Sequence, residues 1–160
     1  MAEVKQHLHE VKEKIYFEPL LEEIKTSINF MIIQNDVTIT SNFDSGSYVY
    51  SIRSFIYSIF YNLILNSIKY RREDVSPVIE LSATTLNDKV ILSFNDNGKG
   101  IDLDRHGADL FGLYQRFDVS VEGSGLGLFM IKTQIEQLGG SINIESTVGV
   151  GTTFIIELSV

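Results

Sequence analysis

Residues 90–100 of the 160-residue chain read VILSFNDNGKG, an apolar run that ends in a carboxylate and two glycines. The run at 90–94 predicts a strand, and residues 79–83 predict a neighbouring strand across a short turn. Asp96 places an anionic acceptor at the strand end, beside glycine backbone that a flat ligand can approach closely. An adenine amino group would satisfy that acceptor. The alternative is an ordinary Asp-Asn-Gly turn, which is common in proteins.

Outward from this strand, helices and strands come in blocks rather than in strict alternation. Blocks of this kind predict an α+β fold, a two-layer sandwich in which a mixed, mostly antiparallel sheet carries helices on one face. A doubly wound parallel fold is disfavoured, because it would need helices and strands to alternate. The predicted helices are residues 17–33, 51–70 and 125–138, and the further predicted strands are residues 37–41, 48–50, 142–145 and 153–158.

Residues 1–14 are mostly polar and differ from the rest of the chain. Val4, Leu8, Val11 and Ile15 nevertheless recur at steps of four, three and four, a spacing typical of a coiled-coil helix. The segment is therefore predicted to be a linker or the end of an upstream helix, and the remainder is long enough for one domain.

Composition and charge exclude several classes of site and partner. Lys and Arg number 13 against 21 Asp and Glu, a net charge of −8, so we expect no nucleic-acid partner. The absence of cysteine excludes a disulfide framework, a thiolate nucleophile and a zinc-thiolate site. No apolar run is long enough to span a bilayer, so we expect no membrane contact by this chain.

The second predicted helix carries polar groups on an otherwise apolar element. Phe55, Ile59, Asn62, Asn66 and Lys69 fall on one stripe at steps of three and four. Two amides one turn apart, followed by an ammonium group, could hold a hydrated Mg²⁺ and then a phosphate, because amide oxygens are hard ligands. The alternative is that both asparagines face water or bond to each other.

Two more glycine-rich motifs follow along the chain. Residues 123–128 read GSGLGL and run into a predicted helix start, where unpaired amides and the helix dipole suit phosphate oxygens. They follow no strand and lack G-x-G-x-x-G spacing, so a Rossmann dinucleotide site is disfavoured. Residues 149–152 read GVGT, which predicts a closing hairpin turn with the Thr152 hydroxyl available to a ligand.

The order of these motifs resembles one known superfamily. An asparagine-bearing helix, D-x-G-x-G, a long loop, G-x-G-x-G and G-x-G-T look like the N, G1, G2 and G3 boxes of the ATPases shared by gyrase, heat-shock chaperones, histidine kinases and mismatch-repair proteins. Residues 110–117, LFGLYQRF, resemble the F box of histidine kinases. The chain thus resembles the catalytic domain of a sensor histidine kinase, which implies a Bergerat-type fold with ATP and Mg²⁺ as cofactors. By this resemblance residues 15–160 are the catalytic domain, residues 102–124 are its ATP lid, and residues 1–14 are a linker or the end of a dimerisation helix.

The resemblance implies a role for each motif position. Asn66 would bind Mg²⁺, Asn62 would lie beside the triphosphate, and Lys69 would reach a phosphate. Asp96 would accept a hydrogen bond from the adenine amino group, and Tyr70 would pack near the base. The other nucleotide-binding positions would be Gly98, Gly100, Ile101, Gly123, Ser124, Gly125, Leu126, Gly127, Leu128 and Thr152.

Two side chains are candidates for a catalytic role. Arg116, in the predicted lid, would place a guanidinium on the γ-phosphate, and an ordinary surface arginine is the alternative. Asn62 stands where members that hydrolyse ATP carry a glutamate as general base, and an amide cannot take a proton at neutral pH. Phosphoryl transfer to another acceptor is therefore favoured over hydrolysis, and the resemblance implies that the acceptor is a histidine. Basic residues gather near these motifs, at Lys69, Arg71, Arg72, Lys99, Arg105 and Arg116.

The phosphoacceptor itself is not expected in this chain. His9 and Glu10 begin the signature H-[ED]-x-x-x-P, but Lys14 stands in place of the proline, and we interpret His7 and His106 as solvated too. The resemblance implies two partners, a dimerisation and histidine phosphotransfer domain of the same parent protein and the receiver domain of a response regulator. It also implies a cytoplasmic domain, with a parent protein that can be membrane-anchored. A serine protein kinase or an ATPase of the same superfamily, and a catalytically silent nucleotide-binding module, are the alternatives.

Overall fold

The computed structural model describes residues 11–44, 46–107, 110–112 and 127–159. Within these ranges the chain forms seven strands and five helices. The strands are β1 (Glu13–Tyr16), β2 (Thr38–Phe43), β3 (Tyr48–Ser51), β4 (Val78–Leu86), β5 (Lys89–Asp96), β6 (Ser141–Thr147) and β7 (Gly151–Ser159). The helices are α1 (Phe17–Ser27), α2 (Asn29–Gln34), α3 (Arg53–Lys69), α4 (Leu103–His106) and α5 (Gly127–Gln137).

Five of these strands form one mixed sheet in the order β2-β4-β5-β7-β6. β2 and β4 are parallel, and the other neighbouring pairs in this sheet are antiparallel. The turn between β4 and β5 consists of Asn87 and Asp88, which have φ values of 52° and 62°. Asn and Asp tolerate this conformation, so the two residues close a tight hairpin. The predicted α+β class and the mostly antiparallel sheet are confirmed.

Helices cover one face of this sheet, and an aromatic cluster joins the two layers. Leu92 and Phe94 of β5 are buried on the helix side, whereas Asn95 between them and the strand end is exposed. The ring of Phe60 on α3 stacks on Phe17 of α1 at a centroid distance of 5.8 Å and meets Phe94 edge-on at 5.0 Å. Such ring pairs add about 0.5–1.5 kcal/mol beyond the area that they bury. They fix α3 above the strand that ends at the carboxylate motif.

β1 and β3 form a separate, two-stranded antiparallel sheet. Ile15 of β1 pairs with Val49 of β3 and both are buried, whereas Tyr16 is exposed. The helix predicted from the spacing that runs to Ile15 is therefore wrong at its end, because Ile15 lies in a strand. Ile15 is β-branched and Tyr16 is aromatic, and both residue types favour strands. Residues 1–10 lie outside the described residues, so the assignment of residues 1–14 stays a prediction.

The first predicted helix, residues 17–33, is two helices in the structure. α1 ends at Ser27, and Ile28 has φ −111° and ψ 18° between α1 and α2. The Ser27 hydroxyl donates to the carbonyl of Ile24 at 2.9 Å, a contact that competes with regular helix hydrogen bonding. Ile28 stays in register with the buried face, so apolar periodicity does not reveal the break.

The other predicted elements are confirmed in type, with ends that differ by a few residues. The predicted lid, residues 102–124, begins with the four-residue helix α4, and Asp102 caps this helix by accepting from the backbone N–H groups of Asp104 and Arg105. The helix predicted at 125–138 is α5, described from Gly127 onward. Within the described ranges, no helix combines the length and the apolar content that crossing a bilayer requires.

Candidate functional site

Three polar side chains form a row across adjacent strands at one end of the large sheet. The register pairs Asp96 of β5 with Thr152 of β7, and Thr152 with Ser146 of β6. Residues opposite each other in an antiparallel pair project to the same face. Here it is the helix-covered face, because Ser67 of α3 bonds to Asp96. The structure therefore brings together Asp96 and Thr152, which the sequence assigned to separate motifs.

The Asp96 carboxylate accepts hydrogen bonds from three groups of the chain. Oδ1 accepts from the backbone N–H of Gly98 at 2.9 Å and of Thr152 at 3.3 Å, and Oδ2 accepts from Ser67 Oγ at 2.8 Å. Burial raises the pKa of Asp96 above its ordinary value of 3.8, and these three hydrogen bonds oppose the rise without cancelling it. Each carboxylate oxygen can accept two hydrogen bonds. Oδ2 therefore has capacity for one more donor while the side chain is held in a fixed orientation.

The glycines around Asp96 are required by close approaches of the backbone. A Cβ at Gly98 would lie 2.7 Å from the carbonyl oxygen of Tyr70, and one at Gly151 would lie 1.9 Å from the carbonyl oxygen of Asp96. Gly100 has φ +72°, and its Cβ would lie 2.1 Å from the carbonyl oxygen of the last residue of β6. The sequence assigned Gly98 and Gly100 to ligand approach. The structure adds that protein backbone already needs their missing side chains.

Two backbone hydrogen bonds dock the loop after β5 on its neighbours. Lys99 N donates to the carbonyl of Tyr70 at the end of α3 at 2.9 Å, and Gly149 N donates to the carbonyl of Lys99 at 2.7 Å. Tyr70 is half-buried and lies beside the Asp96 loop. This is the neighbourhood that the family resemblance implies for Tyr70, and its contact with a base stays a prediction.

The polar stripe of α3 carries Asn62 and Asn66, both half-buried, and Lys69, which is exposed. Asn62 Nδ2 donates to the carbonyl oxygen of Ser58 at 2.8 Å and lies 3.1 Å from its hydroxyl. Among the described residues, none forms a hydrogen bond with the side chain of Asn66. The interpretation in which the two asparagines bond to each other is therefore wrong, and the Asn66 amide is available to a ligand.

Two basic residues have a structural role that the sequence did not indicate. Arg71 Nη1 donates to the carbonyl of Ile68 at 2.9 Å, at the end of α3. Arg72 Nε donates to the carbonyl of Asn97 at 2.9 Å and ties the α3–β4 connection to the loop after β5. Each guanidinium group thus donates to a backbone carbonyl. Their presence near the motifs is therefore explained by structural contacts and is not by itself a sign of a phosphate site.

Apolar residues on either side of the predicted lid, and one within it, belong to the core. Ile101 and Leu128 belong to the core at 5% and 8% exposure, and Leu110 joins them at 3%. Gly127, at the start of α5, is exposed, and a Cβ there would meet no atom within 4 Å. Packing among the described residues therefore does not require glycine at this position. The predicted positions Gly123, Ser124, Gly125, Leu126 and Arg116, like His7 and His9, lie outside the described residues.

Two serines of this site were not predicted from the sequence. Ser67 is 5% exposed and bonds to Asp96, and Ser146 Oγ lies 2.8 Å from the hydroxyl of Thr152. A signal existed for Ser67, because it follows Phe60 at a helical spacing of seven and places a hydroxyl on the buried stripe of α3. Ser146 gives no such signal, because Ile101 lies 45 residues away and Gly151 and Thr152 reach it only once β6 and β7 pair.

Comparison with known proteins adds a family match to this geometry. Residues 51–160 match the model of a family described as "Histidine kinase-, DNA gyrase B-, and HSP90-like ATPase". The methanogenesis regulatory histidine kinase FilI of Methanothrix harundinacea (strain 6Ac) is 39% identical over 97 residues, which are 61% of this chain. The chain covers 11% of the length of that relative.

Solved structures share the fold at low sequence identity. The catalytic domain of histidine kinase ThkA superposes with a TM-score of 0.80 at 22% identity, covering 92% of this chain and 95% of that domain. Full-length ShkA in complex with AMPPNP superposes with a TM-score of 0.81 at 19% identity, covering 95% of this chain and 32% of ShkA. The likeness extends over nearly the whole chain, so the arrangement of helices and sheet is that of these proteins.

Proposed function

The chain belongs to the family of histidine kinase-, DNA gyrase B- and HSP90-like ATPases, and on that premise we propose that it is the ATP-binding catalytic domain of a sensor histidine kinase. In this proposal the domain transfers the γ-phosphoryl group of ATP to a histidine on a separate dimerisation domain of the same parent protein. The relative FilI is named a histidine kinase, and the neighbour ShkA was solved with AMPPNP. The first name supports phosphoryl transfer to histidine as the reaction, and the second supports an adenine nucleotide as the ligand.

The half-buried, oriented Asp96 carboxylate is the observation that carries this proposal. Three hydrogen bonds fix it, and Oδ2 keeps room for one donor. The 6-amino group of adenine is a donor of the right kind, and a hydrogen bond to a charged acceptor contributes about 1.5–3 kcal/mol. Tyr70 lies at the same end of α3 and would pack against the base. Adenine therefore fits the chemistry of this end of the site.

The triphosphate would extend from Asp96 toward the polar stripe of α3 and the start of α5. Asn66 has an amide without a hydrogen-bond partner among the described residues, which fits a ligand of Mg²⁺. No group of three or more His, Cys, Asp or Glu in the described part of the chain could hold a metal ion. A magnesium site built from Asn66, phosphate oxygens and waters does not need such a group. When bound, Mg²⁺ would neutralise phosphate charge.

Asn62 decides which reaction the site supports. Its nitrogen is tied to the carbonyl of Ser58, and an amide has no basic oxygen that could take a proton from water. Hydrolysis therefore lacks a general base on α3. An imidazole nitrogen needs no such base, since its own lone pair attacks the γ-phosphorus while the bond to the bridging oxygen breaks and ADP leaves. Lys69 and Arg116 would offset charge on the phosphates, and positioning supplies most of the remaining rate.

The partners follow from this reaction. A dimerisation and histidine phosphotransfer domain of the same parent protein would present the acceptor, and the receiver domain of a response regulator would take the phosphoryl group next. We place the domain in the cytoplasm, where ATP is supplied, and a membrane anchor would belong to other parts of the parent protein. Label transfer from γ-labelled ATP to that dimerisation domain tests the proposal. Acid-stable label on serine would instead favour the serine protein kinase of the same superfamily, and rapid release of phosphate would favour the ATPase.

A further inference from the structure

The hydroxyl of Ser146 lies at the centre of three hydrogen bonds between separate segments. The backbone N–H of Ile101 donates to Ser146 Oγ at 2.8 Å. Ser146 Oγ lies 3.0 Å from the carbonyl oxygen of Gly151 and 2.8 Å from Thr152 Oγ1. Ser146 thus joins the loop after β5, the start of β7 and the end of β6 in the row that contains Asp96.

The donors and acceptors around Ser146 fix the direction of each hydrogen bond. A hydroxyl has one proton to donate and two lone pairs that accept. The carbonyl of Gly151 can only accept, so it takes the Ser146 proton, and the N–H of Ile101 can only donate, so it fills one lone pair. The second lone pair then faces Thr152, which must donate its own proton to Ser146. All three contacts are satisfied at once only in this arrangement.

This arrangement sets the polarity that Thr152 offers to a ligand. With its proton committed to Ser146, the Thr152 hydroxyl has only lone pairs left, so it acts as an acceptor beside the Asp96 acceptor. Two acceptors suit the 6-amino group of adenine and oppose the 6-oxo group of guanine or hypoxanthine. A site that pairs a specific donor discriminates strongly, because the wrong ligand leaves buried groups unpaired.

We propose that Ser146 is a specificity-determining positioning residue, which turns the Thr152 hydroxyl into an acceptor and thereby selects adenine over 6-oxopurine nucleotides. The inference rests on the proposed function, because it assumes that Asp96 and Thr152 bind a purine base. Ser146 itself acts through Thr152 and need not touch the ligand. In its absence the Thr152 proton is free to turn toward a 6-oxo group.

The test compares ATP with inosine triphosphate, which differs from ATP by a 6-oxo group in place of the 6-amino group. Calorimetry on the 160-residue chain with Mg²⁺ should give a clear preference for ATP in the parent. Ser146→Ala should reduce the ratio of the two affinities by about tenfold, the equivalent of one net hydrogen bond. Ser146→Thr keeps a hydroxyl at this strand position, so it should keep the parental ratio of the two affinities.

A double-mutant cycle separates this role from a merely structural one. In a Thr152→Val background, Ser146→Ala should change the affinity ratio no further, because the hydroxyl that Ser146 orients is gone. An unchanged ratio in Ser146→Ala, or an equal loss of affinity for both nucleotides, would overturn the inference. If Ser146→Ala does not fold, a parental ratio in Thr152→Val overturns it as well. Failure of the parent to bind ATP at all would instead overturn the proposed function.

Discussion

Replacing Asp96 with asparagine changes the hydrogen-bond chemistry of the site while keeping its shape. In Asp96→Asn, Oδ1 can keep the backbone donors of Gly98 and Thr152, and the amide nitrogen takes the place of Oδ2 opposite Ser67. The Ser67 hydroxyl can accept from that nitrogen and donate to the carbonyl of Leu63, which lies 3.1 Å away. The folded domain therefore keeps its internal hydrogen bonds, and we expect a free energy of unfolding at neutral pH no lower than that of the parent.

Nucleotide binding should weaken in the same variant, because the spare acceptor becomes a donor. In the proposed complex, Oδ2 of Asp96 would accept from the adenine amino group of ATP, whereas in the variant two NH₂ groups would face each other. Loss of a hydrogen bond to a charged group costs about 1.5–3 kcal/mol. At 1.4 kcal/mol per factor of ten, the Kd for ATP should rise by roughly 10- to 150-fold.

Calorimetric titration with Mg²⁺ and AMPPNP measures the binding, and urea denaturation of the same samples measures the stability. Glu80→Gln is the matched control, since it removes an exposed carboxylate from β4 and should change neither quantity. Asp96→Ala leaves the N–H groups of Gly98 and Thr152 without their acceptor, so it should lose stability as well, by about 1–3 kcal/mol for each group. A folded Asp96→Asn variant with parental affinity for ATP would refute the role assigned to Asp96.

Metal binding, glycine packing and pH dependence give three more predictions. Asn66→Ala should remove the Mg²⁺ dependence of AMPPNP binding, and a Mg²⁺ titration identical to that of the parent would assign the ion to another residue. Gly127→Ala should keep the parental Tm, because its Cβ meets no atom within 4 Å, yet weaken triphosphate binding. Gly100→Ala should lower the Tm, because its Cβ would lie 2.1 Å from a backbone oxygen. Thermal scans in which Gly127→Ala lowers the Tm and Gly100→Ala does not would contradict this prediction. Because burial raises the pKa of Asp96 above 3.8, the folded state keeps that proton to higher pH than the unfolded state. The stability of the parent relative to Asp96→Asn should be greatest below pH 3.8 and fall as pH rises through the raised pKa. Urea titrations across this range check the sign, and a relative gain of stability with rising pH would show that the carboxylate is stabilised, not penalised, by its surroundings.

Local patterns predicted those parts of the fold that local physics decides. The strand that ends at Asp96 alternates buried residues with less buried ones, and the turn at Asn87 and Asp88 uses residues suited to positive φ. The break at Ile28 escaped prediction, because the apolar period continues through it and only the Ser27 hydroxyl contact marks it. The strand that contains Ile15 escaped as well, because its partner β3 lies more than thirty residues away.

The same limit applies to the candidate site. Asp96, Asn66 and Thr152 stand in motifs whose order could be compared with a known family, so their roles could be assigned before any contact was known. Ser146 could not, since its hydrogen bond to Ile101 spans 45 residues and exists only once β6 and β7 are paired. Hydroxyl groups that act between strands leave no periodic trace in a sequence.

Phosphoryl transfer in trans tests the central claim most directly. The chain would be incubated with Mg²⁺, γ-labelled ATP and the dimerisation domain of its own parent protein, and the labelled product would be treated with acid and with alkali. The account predicts label on the partner that acid removes and alkali spares, as expected for phosphohistidine, with only slow phosphate release by the chain alone because Asn62 offers no general base. Acid-stable label on the partner, or rapid hydrolysis by the isolated chain, would contradict the assignment as a histidine kinase domain.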